Sequence, residues 1–157
     1  MTNTASSSRV ASINKTGSTP LIGKVTLTGG TNVTLTQSGQ DISIAATGGV
    51  VWTEVTGTSQ TAAVNNGYIL NNAGLVTLTL PSTASVGDVV EVSGKGTGGW
   101  KVAQNSGQQI HFGSAATTSG TGGSLASVNQ WDTLRLLCVT ANTTWAVLSS
   151  QGNLTVV

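Results

Sequence analysis

Charged side chains are scarce in this chain. Of 157 residues, six are Lys or Arg and five are Asp or Glu, a charged share of 7%, against about 25% in an average soluble domain. The cations Arg9, Lys15, Lys24, Lys95, Lys101 and Arg135 are scattered, and the formal net charge is +1. Phosphate neutralisation needs clustered cations, so no nucleic-acid partner is expected. There is one histidine, His111, and one cysteine, Cys138. A single Cys excludes an intrachain disulfide and a Cys-rich metal site. It lies in the apolar run 134–139 and reads as a buried, inert thiol. No apolar run approaches the ~20 residues of a membrane-spanning helix, so no membrane insertion is expected. The opening residues 1–8 have neither a charged n-region nor an apolar h-region. The chain therefore reads as made in a host cytoplasm, reaching a surface by assembly rather than secretion.

Aromatic residues are also few, at 4%. Trp52, Trp100, Trp131, Trp145, Tyr68 and Phe112 give a chain of this length little bulk for a core, so some apolar area is expected to be buried between chains. Solubility falls to Thr, Ser, Asn, Gln and 21 Gly. Thr and Val are β-branched and fit a pleated surface. No window carries helix formers at a helical period. The fold class expected is all-β and trimeric: a short repetitive β shaft, then a β-sandwich or barrel knob of jelly-roll-like form.

Three regions follow along the chain. Residues 1–20 are polar, small and without period, and read as an anchoring tail held by a neighbouring chain. Residues 21–49 are repetitive. Val25-Thr26-Leu27-Thr28 returns as Val33-Thr34-Leu35-Thr36, and Asp41-Ile42-Ser43-Ile44 continues the alternation. Each reads as a half-buried strand, and a meander so thin is marginal alone. Its apolar face, Val25, Leu27, Val33, Leu35, Ile42 and Ile44, is therefore expected to be the trimer contact. Residues 50–157 read as a denser β domain, with candidate strands at 50–55, 60–64, 67–71, 75–80, 88–93, 99–104, 109–112, 124–128, 131–140, 144–149 and 153–157. Gly94 to Gly99 reads as a flexible β-turn, and 113–123 as a long loop able to bind a partner.

Catalytic constellations are not found. Asp88 and Glu91, three apart, would point to opposite faces of one strand. Asp41 and Asp132 sit beside turns, where Asp serves structure. A Ser-His-Asp triad would have to use His111, which faces away from its apolar neighbours Ile110 and Phe112. Three copies of His111 on a trimer axis could hold a metal ion, the one metal option the sequence offers. Gly94 to Gly99 lacks the Lys-Ser/Thr and following helix of a phosphate loop. Most of the four Trp residues are expected in the core.

The block VTLTGGTNVTLTQSGQDISIA, within residues 25–46, resembles the repetitive β shaft of bacteriophage tail fibres. The stretch from Trp52 to Val157 resembles a C-terminal virion knob, notably through TLTLPSTASVGDVVEVSGKGTGGWKVAQNSGQQIHFG (77–113) and NTTWAVLSSQGNLTVV (142–157). The resemblance implies a homotrimer about a fibre axis on a virion surface, without cofactor. Other virion proteins would be met through residues 1–20, and host surface polysaccharide is a partner for the knob. Only about twenty polar residues precede the shaft, so a capsid-decorating or head-fibre protein is an alternative. A second alternative is a carbohydrate-binding module using Trp100 and the 113–123 loop, with Thr117 and Thr118 as ligand contacts.

Overall fold

The structure is a computed structural model that describes residue 28 and residues 33–38, 41–46 and 49–157. The expected tail, residues 1–20, and the expected contacts Val25 and Leu27 lie outside the described residues. The chain divides into two units between Gly48 and Gly49. No helix among the described residues is long and apolar enough to cross a membrane.

In the first unit, β1 (Val33–Ser38) pairs antiparallel with β2 (Asp41–Ala46), bringing Val33 opposite Ala46 and Leu35 opposite Ile44. Directly opposed residues share a face of the ladder. Val33, Leu35, Ile42, Ile44 and Ala46 therefore line one side, with Thr34, Thr36, Ser43 and Ala45 on the other. The alternation of apolar and hydroxyl residues is what sets this register.

The second unit is a two-sheet sandwich. One sheet is built from β3 (Val51–Val55), β5 (Asn66–Leu70), β7 (Val89–Gly94), β12 (Thr133–Thr140), β13 (Thr144–Gln151), β9 (Gln109–Phe112) and β10 (Ala115–Ala116). The other holds β4 (Ser59–Thr61), β6 (Val76–Thr79), β8 (Trp100–Ala103), β11 (Ser124–Ser127) and β14 (Leu154–Val156). Alternate residues turn inward because the strand period is two. Thus Val90 and Val92 are buried while Val89 and Glu91 are half-covered, and Val76 and Leu78 alternate with Thr77 and Thr79. The core between the sheets includes Leu70, Val102, Ile110, Leu125, Leu134, Leu136 and Cys138, with Trp100 and Trp145 as its largest members.

The expected all-β sandwich is present, and its connectivity departs from the jelly-roll likeness. From β3 to β8 the chain alternates sheets at every strand, and neighbours within each sheet run parallel: β3 with β5 with β7, and β4 with β6 with β8. A jelly roll is antiparallel throughout. Here the first half of the sandwich is a flattened parallel coil, joined through the antiparallel pairs β7 with β12 and β8 with β11 to strands from β9 onward that are antiparallel except for β9 with β13.

The expected flexible turn at Gly94 to Gly99 is instead a packed seam. The amides of Lys95 and Gly96 donate to the Leu70 carbonyl at 2.9 Å each, and that of Gly98 to the Asn72 carbonyl at 3.0 Å. A methyl group on Gly96 would run into the Asn72 backbone, and one on Gly98 into the Ala73 and Gly74 carbonyls. These glycines let one turn of chain lie directly against another.

Candidate functional site

Of the expected ligand contacts, the structure buries Trp100 and Thr117 and leaves Thr118 exposed. Trp100 is fully buried, and its indole N–H donates to the Asp132 carbonyl at 3.0 Å. Its alternate neighbour Val102 is equally buried, so Trp100 faces the core and offers no platform to a ligand. Thr117 is also buried: its hydroxyl accepts from the Ile110 amide at 3.0 Å and donates to Gln104 Oε1 at 2.7 Å. Thr118 stays exposed, but its carbonyl accepts from Gln104 Nε2 at 2.8 Å, as does that of Gly120.

The loop is therefore built around a buried side-chain amide, and part of it forms β10. A second buried amide, Gln108, accepts from the Asn105 amide and donates to the Pro81 and Asn142 carbonyls at 2.8 and 3.2 Å. Buried polar groups need such partners, and these two glutamines have them inside the fold. Sequence reasoning found neither, because a Gln in a polar segment carries no mark of burial.

Glu54 is hydrogen-bonded to Lys95 at 2.6 Å and to Asn71 at 2.8 Å. The hydrogen bond from Lys95, then that from Asn71, holds its carboxyl below the usual range. Asp88 accepts from Asn65 and from the Ser85 amide, closing the turn before β7. Asp132 is buried and accepts from the amides of Val128 and Asn129 at 2.9 and 2.8 Å. That is the turn-building role expected of it. His111 is exposed and faces away from buried Ile110, beside Ala146 and Ala116 in the ladder. Among the described residues no three His, Cys, Asp or Glu side chains cluster as metal ligands. An open cleft of about 450 Å³ lies beside Ala84, Asp88 and Asn142, where Asn142 Oδ1 accepts from the Ala84 amide and Asp88 from the Ser85 amide.

Two open surfaces among the described residues bear on function. The first is the apolar side of the β1–β2 hairpin. Four of the six expected trimer contacts, Val33, Leu35, Ile42 and Ile44, are brought together on it. Ile42 and Ile44 are 50% and 67% exposed. The second is the outer face of the seven-stranded sheet. Across it the register aligns Trp52, Gly67, Glu91, Arg135 and Ser149 in one row. Trp52 is 46% exposed and its ring lies flat on Gly67, so close that a Cβ there would sit 2.5 Å from the indole Cδ2. Arg135 Nε forms an ion pair with Glu91 Oε1 at 3.1 Å. With the hydroxyl residues Ser93, Thr133 and Ser149 they line an open groove of about 310 Å³. The expectation that most Trp residues are buried holds for Trp100 and Trp145, whereas Trp52 and Trp131 are exposed.

No family model matches the chain, and no curated protein matches it.

Proposed function

We propose that the chain is a structural protein of a bacteriophage surface, a homotrimeric fibre or knob held to the particle by its N-terminal tail and contributing to host attachment. The observation that carries this reading is the exposed apolar side of the β1–β2 hairpin. An isolated two-stranded ribbon is marginal in water, and three or more strands are needed for independent stability. Covering the exposed parts of Ile42 and Ile44 is worth about 1–2 kcal/mol per residue. Copies of the same hairpin around one axis supply that cover, each presenting the same stripe to its neighbours. Three weak contacts with a host surface then act together, so modest affinity per copy suffices. The fibre-like repeat of residues 25–46 and the knob-like stretch after Trp52 support the same reading.

Light scattering on the full chain tests the assembly. The expected mass is three times 15.7 kDa, falling to a single-chain mass in a Leu35→Asp, Ile44→Asp variant whose near-ultraviolet dichroism is unchanged. A wild-type chain running as a monomer, or a variant that stays trimeric, overturns the reading.

A further inference from the structure

We propose that the Trp52 groove is a binding site for a neutral glycan chain. The inference rests on the attachment reading for its setting and names the ligand class and the place where it binds.

Three features of the groove carry it. The first is a fixed apolar platform. Trp52 belongs to edge strand β3, and its ring is pressed flat against the backbone at Gly67, leaving the other face open. A flat aromatic face takes the C–H side of a sugar ring, burying apolar area without asking for a polar partner there. Holding the ring flat in advance lowers the ordering cost of binding.

The second is the polar content beside that platform. A sugar hydroxyl donates and accepts at once, so its site needs both kinds of group close together. Arg135 supplies donors and Glu91 acceptors, and Ser93, Thr133 and Ser149 supply hydroxyls of both characters. The Arg135 side chain is 49% exposed and the Glu91 side chain 21%, so polar capacity beyond their ion pair faces the groove.

The third is charge. Arg135 and Glu91 cancel at 3.1 Å. A groove without net charge does not select a phosphorylated or carboxylated ligand, whereas a neutral polyol fits it. Length agrees with a chain rather than a single ring. The row from Trp52 to Ser149 crosses five strands, which at the usual strand spacing is about 19 Å. The remaining occupant to consider is a second copy of the protein. Trp52 is the aromatic member of this groove, and the ion pair and hydroxyl residues beside it would have to be stripped of water against a partner, which is costly unless every group is matched.

The test is affinity electrophoresis of the full chain through gels containing dextran, laminarin or neutral bacterial O-polysaccharides, with teichoic acid as an anionic control. At least one neutral polysaccharide is expected to retard the wild type. Trp52→Ala should weaken that binding about tenfold, and Trp52→Tyr should recover most of it. Gly67→Ala, which displaces the ring without touching the polar groups, should also weaken it. Light scattering and thermal melting of each variant accompany the gels. Retardation by teichoic acid alone, no retardation by any neutral polysaccharide, or equal binding by Trp52→Ala overturns the proposal. A Trp52→Ala chain whose oligomer mass changes overturns it too, marking the groove as a contact between copies. The Leu35→Asp, Ile44→Asp variant separates this inference from the trimer: Trp52-dependent binding of a monomer upholds the groove while the assembly reading stands or falls by mass.

Discussion

Replacing single glycines by alanine tests whether Gly94 to Gly99 is a packed seam or a loose turn. Three positions form a graded set. At Gly98 the new methyl meets the Ala73 and Gly74 carbonyls, which are backbone and cannot rotate away. Room requires the strand turns to part, at an overpacking cost of about 1–3 kcal/mol. It also puts at risk the Gly98 amide bond to Asn72, worth about 1 kcal/mol net. Gly98→Ala is therefore expected to lose about 3 kcal/mol. At Gly107 no atom lies within 4 Å of the added carbon, but φ is +76°, so Gly107→Ala should cost about 1–2 kcal/mol from backbone strain alone. Gly122 has open space and no left-handed backbone. Alanine there restricts the unfolded chain and should be neutral or stabilising by up to about 1 kcal/mol. Urea unfolding at equal protomer concentration ranks the three, with the m-value as the check that only stability has changed. A Gly98→Ala protein as stable as Gly122→Ala would refute the packed seam.

Two further outcomes follow from buried and paired side chains. Trp100 and Trp145 are both fully buried, but only the Trp100 indole has an acceptor among the described residues. Trp145→Phe removes an orphan donor along with some volume, so it should be less destabilising than Trp100→Phe by about 2 kcal/mol in chemical unfolding, and equal losses would contradict this assignment. The Glu54 carboxyl lies below its ordinary value, because Lys95 and then Asn71 hydrogen-bond the charged form. A lowered folded-state pKa means that the pair's stabilisation is present above the unfolded value and is lost as pH falls through the folded one. Glu54→Gln should therefore differ from wild type at neutral pH and converge with it in acid. Both side chains are exposed, so the difference should be small and should shrink further in high salt.

Much of the fold was legible because strands write their period into sequence. The runs 76–79, 89–94 and 100–103 alternate, and they form β6, β7 and β8 with the alternate residues buried. Asn65 and Asn142 both sit at positive φ, where Asn is tolerated best after Gly, so residue type and backbone agree at these two points. Pairing order was not legible. Nothing local says that β5 takes β3 and β7 as parallel neighbours while β4 and β6 lie in the other sheet, because that choice depends on how two sheets close over one core. The site was legible only in part. Trp52 shares its strand face with Glu54, and Trp100 shares its face with Val102, so period two already separated an outward Trp from an inward one. The flat seating of Trp52 was hidden, because it depends on Gly67, fifteen positions along the chain and directly opposite it in the ladder. The 113–123 loop misled for the opposite reason: small polar residues look free, and the groups that pin them, the Gln104 side-chain amide and the Gln108 carbonyl that accepts from the Gly120 amide, lie outside it.

The parallel coil of β3 to β8 also bears on the order in which the domain forms. Tyr68 pairs with Val92, so closing that contact fixes a loop of more than twenty residues before the ladder rewards it. By contrast, Cys138 and Trp145 meet across a short turn. The β12–β13 hairpin is thus the cheapest long ladder to nucleate, and β7, which lies against β12, is the edge on which the coil is laid down. Successive turns then dock on a template already made, so the chain would grow its coil from β7 back toward β3, against the direction of its own synthesis.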